Sequence, residues 1–178
     1  SYTDSVGINQ AGQGVEVIVH LVGIIKESAA NTFEMAHEQT SAALVESNLD
    51  ARHIVTLGIL GSSSTSANRC FRSRAASDAI LQKGSIPATV IRVPMVLGPG
   101  DYASRALAKN GRSAQAFCFR SNSLEQPIYS ADVVEAIMSA VSLLPENRVL
   151  ELAGPESLTR KALIERAGKL LANKPVVI

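Results

Sequence analysis

The sequence contains no tryptophan, and aromatic residues make up only 4% of its 178 positions. Proteins that bind single-stranded nucleic acid stack bases on aromatic rings, so this scarcity argues against such a surface. No charge sign predominates either: 17 basic and 16 acidic side chains leave a net charge of +1. That balance gives no reason to expect nucleic acid or an anionic membrane as partner. Two cysteines, Cys70 and Cys118, are too few for a disulfide framework. They point to a reducing compartment, the cytoplasm or an organelle matrix. No apolar run reaches the roughly 18 residues needed for a membrane span, and the polar, Gly-rich residues 1–14 do not read as a signal peptide. There is no His-x-x-x-His or Cys-x-x-Cys spacing, so no metal site is expected. A Gly-x-Ser-x-Gly elbow and a Gly-Lys-Ser/Thr phosphate loop are also missing.

The chain is 46% hydrophobic, enough apolar surface to exclude disorder and to build one domain with a real core. Residues 15–23, Val-Glu-Val-Ile-Val-His-Leu-Val-Gly, are nearly all apolar and rich in β-branched side chains. This pattern predicts a parallel strand buried on both faces. A helix is expected over about 32–48, capped by Asn31. A second strand runs from His53 to Leu60, and a Ser-rich loop spans 61–68. A helix from about 69 to 83 ends at Gly84, placed as a C′ residue. Residues 88–97 make a third strand-like run, broken by Gly98-Pro99-Gly100-Asp101. Alternating strands and helices are the signature of an α/β fold, with crossover helices expected on both faces of the sheet. Beyond residue 101, short helices are expected at 103–109 and 131–144 and a longer one after Thr159. Short strands are expected at 116–119, 127–129 and 149–152. Asp132 reads as an N-cap. His20 reads as a core or strand-end residue and His53 as opening a strand, while His37 is assigned to an exposed helix face.

Taken in order, residues 14–23, 54–61, 68–81, 89–101, 126–136 and 151–159 resemble the extended, atypical short-chain dehydrogenase/reductase superfamily. The nearest relatives are the NAD-dependent epimerase/dehydratase-like proteins and the 39 kDa-type accessory subunit of respiratory complex I. The resemblance implies a Rossmann-like parallel sheet with flanking helices over 1–101 and a small C-terminal α+β substrate-side region over 102–178, within a single domain. It also exposes a gap. Family members open with a strand, a Gly-x-x-Gly-x-x-Gly turn and a helix that receives the pyrophosphate. Gly7, Gly12 and Gly14 have the wrong spacing for that turn and precede a strand. The chain therefore reads as a family member lacking its N-terminal Gly-rich half.

Family enzymes use a Ser or Thr with a Tyr-x-x-x-Lys pair, positioned acid–base groups worth about 10²–10⁴-fold in rate each. The matching positions here hold Gly58, Cys70 and Arg74. Gly58 has no hydroxyl. Arg74 stays charged and can hold a ribose or phosphate, but it cannot usefully change protonation state. Two readings of Cys70 stand side by side: a nucleophile whose pKa is lowered by Arg72 and Arg74, or a small buried hydrophobe. Ser62, Ser63 or Ser64 could supply the missing hydroxyl, or could simply form a solvated loop. By the resemblance, Arg92, Val93, Pro94 and Gly98 lie beside the nicotinamide, at the carboxyl ends of the strands where such folds bind ligands. Together with Arg74 they form the expected cofactor-binding set.

Three functional readings follow. The first is a degenerate NAD(P)-binding protein, with NAD or NADP binding weakened or lost and no hydride transfer. The second is a non-catalytic assembly subunit, in which a homodimer mate or a partner chain completes the sheet at strand 15–23, an apolar edge. The third is an epimerase, dehydratase or reductase acting on a nucleotide-linked small molecule, with Cys70 or a loop serine in place of the tyrosine.

Overall fold

The computed structural model describes all 178 residues, Ser1–Ile178. The fold is α/β. A parallel sheet of four strands, β1 (Val17–His20), β2 (His53–Ile59), β3 (Ala88–Val93) and β8 (Arg148–Glu151), runs in that spatial order. Helices α1 (Ser5–Ala11), α2 (Thr40–Glu46) and α3 (Arg69–Lys83) flank it. Contacts divide the chain into two compact units: residues 1–92 with 135–151, and residues 93–134 with 152–178.

In the first unit, each new strand is added on the same side of the one before it, so right-handed crossovers place their helices on one face. Helices α2 and α3 pack against each other, and the expectation of helices on both faces was wrong for these two. Ser41 and Ser77 meet at 2.8 Å between their hydroxyls, which lets the two helix backbones approach closely. Beneath them lies an apolar core of Leu44, Leu49, Ile54, Leu81, Ile86 and Ala88, joined by Ile8 and Ile18.

Helix α1 was not expected in the polar opening residues. Asp4 caps it, its Oδ1 accepting from the Gly7 N–H at 3.1 Å. Ile8 anchors it to the core, and Asn9 donates to the Ser47 carbonyl at 2.6 Å. Strand β1 is shorter than its apolar run. It is also the sheet's edge: Val19 is 42% exposed and only His20 is buried, so the reading of burial on both faces fails. The helix after it starts with a π-helical stretch, Glu34–Gln39. Its first turn is capped by the Thr32 hydroxyl, accepting from Met35 N–H at 3.1 Å, rather than by Asn31. Gly84 does follow α3, but in an extended conformation (φ −66°). Its lack of a side chain matters for packing, because a Cβ there would stand 3.0 Å from Val45.

The third strand-like run is interrupted at Pro94, which has no N–H to offer a ladder. Beyond it, β4 (Val96–Leu97) belongs to the second unit and pairs with β7 (Ile128–Tyr129). That unit also holds α4 (Tyr102–Arg112), the parallel pair β5 (Gln115–Ala116) with β10 (Val176–Val177), the antiparallel pair β6 (Leu124–Glu125) with β9 (Leu158–Thr159), and α6 (Arg160–Leu170). Helices α4 and α6 touch through glycine. A Cβ on Gly111 would stand 2.8 Å from the Gly168 nitrogen. Thr159 caps α6, its hydroxyl accepting from Ala162 N–H at 3.1 Å. Helix α5 (Ser130–Ser142) starts two residues before Asp132, which stands in its first turn and not at its cap.

Leu81 is fully buried at the centre of the first core. Leu81→Ala is expected to cost about 2–5 kcal/mol by lost burial and cavity formation, read as a lowered midpoint in urea denaturation. A change within experimental error would show that the core collapses around the gap.

Candidate functional site

The carboxyl ends of β1 and β2 are held together by one side chain. Arg74, in the first half of α3, sends Nη1 to the Val22 carbonyl at 2.9 Å and Nη2 to the Leu57 carbonyl. It is buried, and burial outweighs the attraction of Asp78 and Cys70 to leave its pKa below the usual arginine value. Gly23 makes room for it, since a Cβ there would stand 2.8 Å from Nη1. His37 approaches from the π-helical stretch. Its Nε2 lies 3.0 Å from the Ile24 oxygen and 3.1 Å from the Ile24 nitrogen, so either tautomer keeps a bond. Its ring stacks on Phe33 with centroids 5.6 Å apart. The exposed face assigned to His37 is therefore corrected: it is buried on the same helix face as Thr40 and Leu44, where its imidazole braces the chain after β1 at Ile24. His20 is buried alongside, with no partner for Nε2. Burial first, and Arg74 second, lower its pKa to about 4.

Cys70 lies one turn before Arg74 on α3. Its N–H is capped by Asn68 Oδ1 at 2.9 Å, and its sulfur lies 3.9 Å from the Ile24 carbonyl. Burial pushes its pKa up, and Arg74 does not offset this. Arg72, the other cation expected to activate it, donates to the Ser66 carbonyl. The low-pKa thiolate is thus overturned, and Cys70 sits as a buried thiol. In the serine-rich loop, Ser62 is buried with an unpartnered hydroxyl, whereas Ser63 bonds Thr65 at 3.0 Å.

Gly58 lies under an ion pair. Arg92 on β3 sends Nε and Nη2 to Asp78 Oδ2 on α3, each at 3.1 Å. A more distant contact of 3.8 Å runs from Arg92 to Glu151 on β8. Burial outweighs both guanidiniums and keeps the Asp78 carboxyl above its usual pKa. A Cβ on Gly58 would stand 2.8 Å from Arg92 Cγ and 3.3 Å from Asp78 Oδ2. The space beside Gly58 is thus filled by a buried charge pair. Asp78 carried no sequence signal of its own. A carboxylate four residues after Arg74, on the buried face of the helix, was the available clue.

The remaining expected residues, Val93, Pro94 and Gly98, belong to the second unit. Gly98 N–H donates to Asp101 Oδ2 at 2.6 Å, and Asp101 Oδ1 accepts from Ser104 N–H at 2.8 Å as the cap of α4. Desolvation raises the Asp101 pKa, but the bonds from Ser104, Gly98 and Ala103 outweigh it and hold the carboxyl below its usual range. The structure therefore pairs Cys70 with Arg74 on one helix, gives Arg92 to Asp78, and closes the Gly98 turn on itself. None of the chain's three tyrosines, Tyr2, Tyr102 and Tyr129, lies on β2 or α3.

No family model matches the sequence, and no curated protein matches it. Solved structures do share the fold. A UDP-glucose 4-epimerase from Thermotoga maritima, determined with UDP-glucose, superimposes with a TM-score of 0.81 at 14% identity, covering 100% of this chain and 69% of its own. The dTDP-glucose 4,6-dehydratase DesIV from Streptomyces venezuelae, with NAD bound, gives 0.78 at 15% identity, covering 100% and 65%. A UDP-glucuronic acid 4-epimerase from Bacillus cereus, with UDP-glucuronic acid and NAD, gives 0.79 at 12% identity, covering 96% and 64%. The chain thus spans less than two thirds of the length of the latter two enzymes. At these identities the likeness is one of fold.

Asp78→Ala leaves the Arg92 guanidinium buried without its partner and should cost roughly 3 kcal/mol in denaturant unfolding. Gly58→Ser, which puts a side chain into the space taken by Arg92 and Asp78, should also destabilise, by about 1–3 kcal/mol through overpacking. If Gly58→Ser were as stable as the parent, the ion pair would not fill that space. The histidines set a pH dependence. His20, His37 and His53 all have folded pKa values below 6.5, so the unfolded chain binds more protons just below that pH. Stability should be level above about pH 6.5 and fall as the pH drops toward 4. His20→Gln should flatten part of that slope, and an unchanged slope would remove His20 as a cause.

Proposed function

We propose that this chain is a degenerate member of the NAD-dependent epimerase/dehydratase-like group, in which the hydride-transfer machinery has been replaced by structural contacts and dinucleotide binding is weakened or lost. The carrying observation is Arg74. At the position of the family lysine, its guanidinium is committed to the Val22 and Leu57 carbonyls. The other candidate groups point the same way. Arg92 is held by Asp78, the Gly98 N–H is bonded within its own turn, and Cys70 lacks an activated thiolate. The donors expected for a nicotinamide ribose are thus satisfied internally, and these residues do not fit the cofactor as its family holders do. An enzyme built on Cys70 or a loop serine is correspondingly disfavoured.

A second reading, the non-catalytic assembly subunit, is favoured by the contrast between the two sheet edges. Edge β8 carries Arg148 and Glu151, the kind of charge that keeps an edge unpaired. Edge β1 carries no Asp, Glu, Lys or Arg. A groove of about 410 Å³ runs beside it, lined by residues such as Ile8, Val15, Val19, Leu21 and Leu49. A strand from a partner chain or a second copy would complete the sheet there.

Calorimetric titration with NADH and NADPH, with light scattering on the same sample, tests both. The expected result is no saturable binding at millimolar cofactor. NADPH-dependent turnover of a nucleotide sugar that disappears in Cys70→Ala would overturn the first reading. A strictly monomeric species that captures no partner strand would count against the second.

A further inference from the structure

Edge strand β1 offers backbone hydrogen bonds that nothing in the chain takes up. It is the last strand of its sheet and pairs only with β2, so every second residue turns its N–H and C=O outward. The helices are layered in step with the strands: α1 packs on α2, and α2 on α3. Helix α1 therefore overhangs the bare edge, and the groove of about 410 Å³ is lined by α1 and α2 on one side and by β1 on the other. A neighbouring strand would run about 4.8 Å from β1, along the open side of this groove.

The lining specifies the side chains that such a strand must bring. No Asp, Glu, Lys or Arg lines the groove, so a charge entering it would lose water without gaining a partner. Ile18 packs against the core that holds Leu44, and His20, two residues on, turns to the same side of the strand. Three lining side chains carry polar atoms. Tyr2 is 70% exposed and open to water. The Thr40 hydroxyl donates to the Ala36 and His37 carbonyls at 2.9 and 3.2 Å. His20 is only 8% exposed, and its Nε2 is buried with no hydrogen-bond partner. Burial and Arg74 keep this imidazole neutral at ordinary pH, so one ring nitrogen donates and the other accepts. A hydroxyl does both and meets either tautomer.

A second copy of this chain does not meet these requirements. Residues 15–25 contain no Ser, Thr or Tyr to offer the hydroxyl. Pairing β1 with its own copy would also run the two strands antiparallel about a two-fold axis that keeps all helices on one face, and each α1 would then contend with the other for the same groove. Resting on the second reading above, we infer that β1 is completed by an extended segment of a different partner chain, uncharged where it enters the groove, whose side chain opposite His20 is a serine or threonine between apolar neighbours on the same face.

Fluorescence polarisation with three labelled peptides tests this on the intact chain. The first is Lys-Val-Ile-Val-Thr-Val-Ile-Val-Lys, whose Ile-Thr-Ile row enters the groove. The second has valine in place of the threonine, and the third is the first peptide N-methylated along its central residues. The threonine peptide is expected to bind, the valine peptide about five-fold more weakly through the lost hydrogen bond, and the N-methylated peptide not at all. In His20→Leu the preference should reverse, with circular dichroism checking that the fold is kept. Light scattering should show the free chain as a monomer. Equal binding of the threonine and valine peptides by the parent chain would overturn the inference and leave the second reading standing. A dimer of the free chain would overturn it too, by giving the edge to a second copy. Binding that survives N-methylation, or no binding by any peptide, would overturn the inference and the second reading together.

Discussion

A buried guanidinium that finds no carboxylate within ion-pair distance must be satisfied by dipoles, and the first unit is arranged around that requirement. Arg74 binds the carbonyls of Val22, just past β1, and Leu57, within β2, and so ties the two neighbouring segments together. Gly23 has to be bare to admit it. His37 and His20 lie close enough for its charge to lower their pKa values, which keeps both imidazoles neutral at ordinary pH. Removing such a cation's partners would cost far more than the bonds contribute, because an unsatisfied buried charge is among the most expensive features a fold can carry. The clamp therefore constrains the position of α3 against the two strands.

A second buried contact lies over Gly58, where Asp78 and Arg92 join α3 to β3. It joins helix to sheet and, through the longer contact to Glu151, reaches the last strand. Gly58, Asp78 and Arg92 thus form one unit: the glycine without the ion pair leaves a void, and the ion pair without the glycine does not fit.

Much of this was legible beforehand and some was not. The bounds of α3 were legible from about 69 to 83 with Gly84 at the end, as the structure has them, and β2 because its β-branched run is continuous. The resemblance singled out Gly58, Cys70 and Arg74, but not their partners, because Asp78 and the carbonyls of Val22 and Leu57 come together only through tertiary packing. Helix α1 was hidden by its shortness, since seven residues show too few periodic positions to register. His37 was misplaced because a histidine next to Glu38 was taken as polar surface, although its i, i+3, i+7 spacing with Thr40 and Leu44 sets it on the helix's buried face.

The break at Pro94 has a temporal consequence. The chain leaves the sheet there and returns only at β8, whose lead-in Asn147 caps Ala88 N–H across 59 residues. A ribosome adding about 5–20 residues per second needs roughly 3–12 s to cover that distance. During that interval the apolar, β-branched flank of β3 is complete but has no neighbour. Closing so long a loop costs little more entropy than closing a shorter one, so the delay is one of supply and not of equilibrium. The newborn sheet spends those seconds with β1 and the outer side of β3 both unpaired.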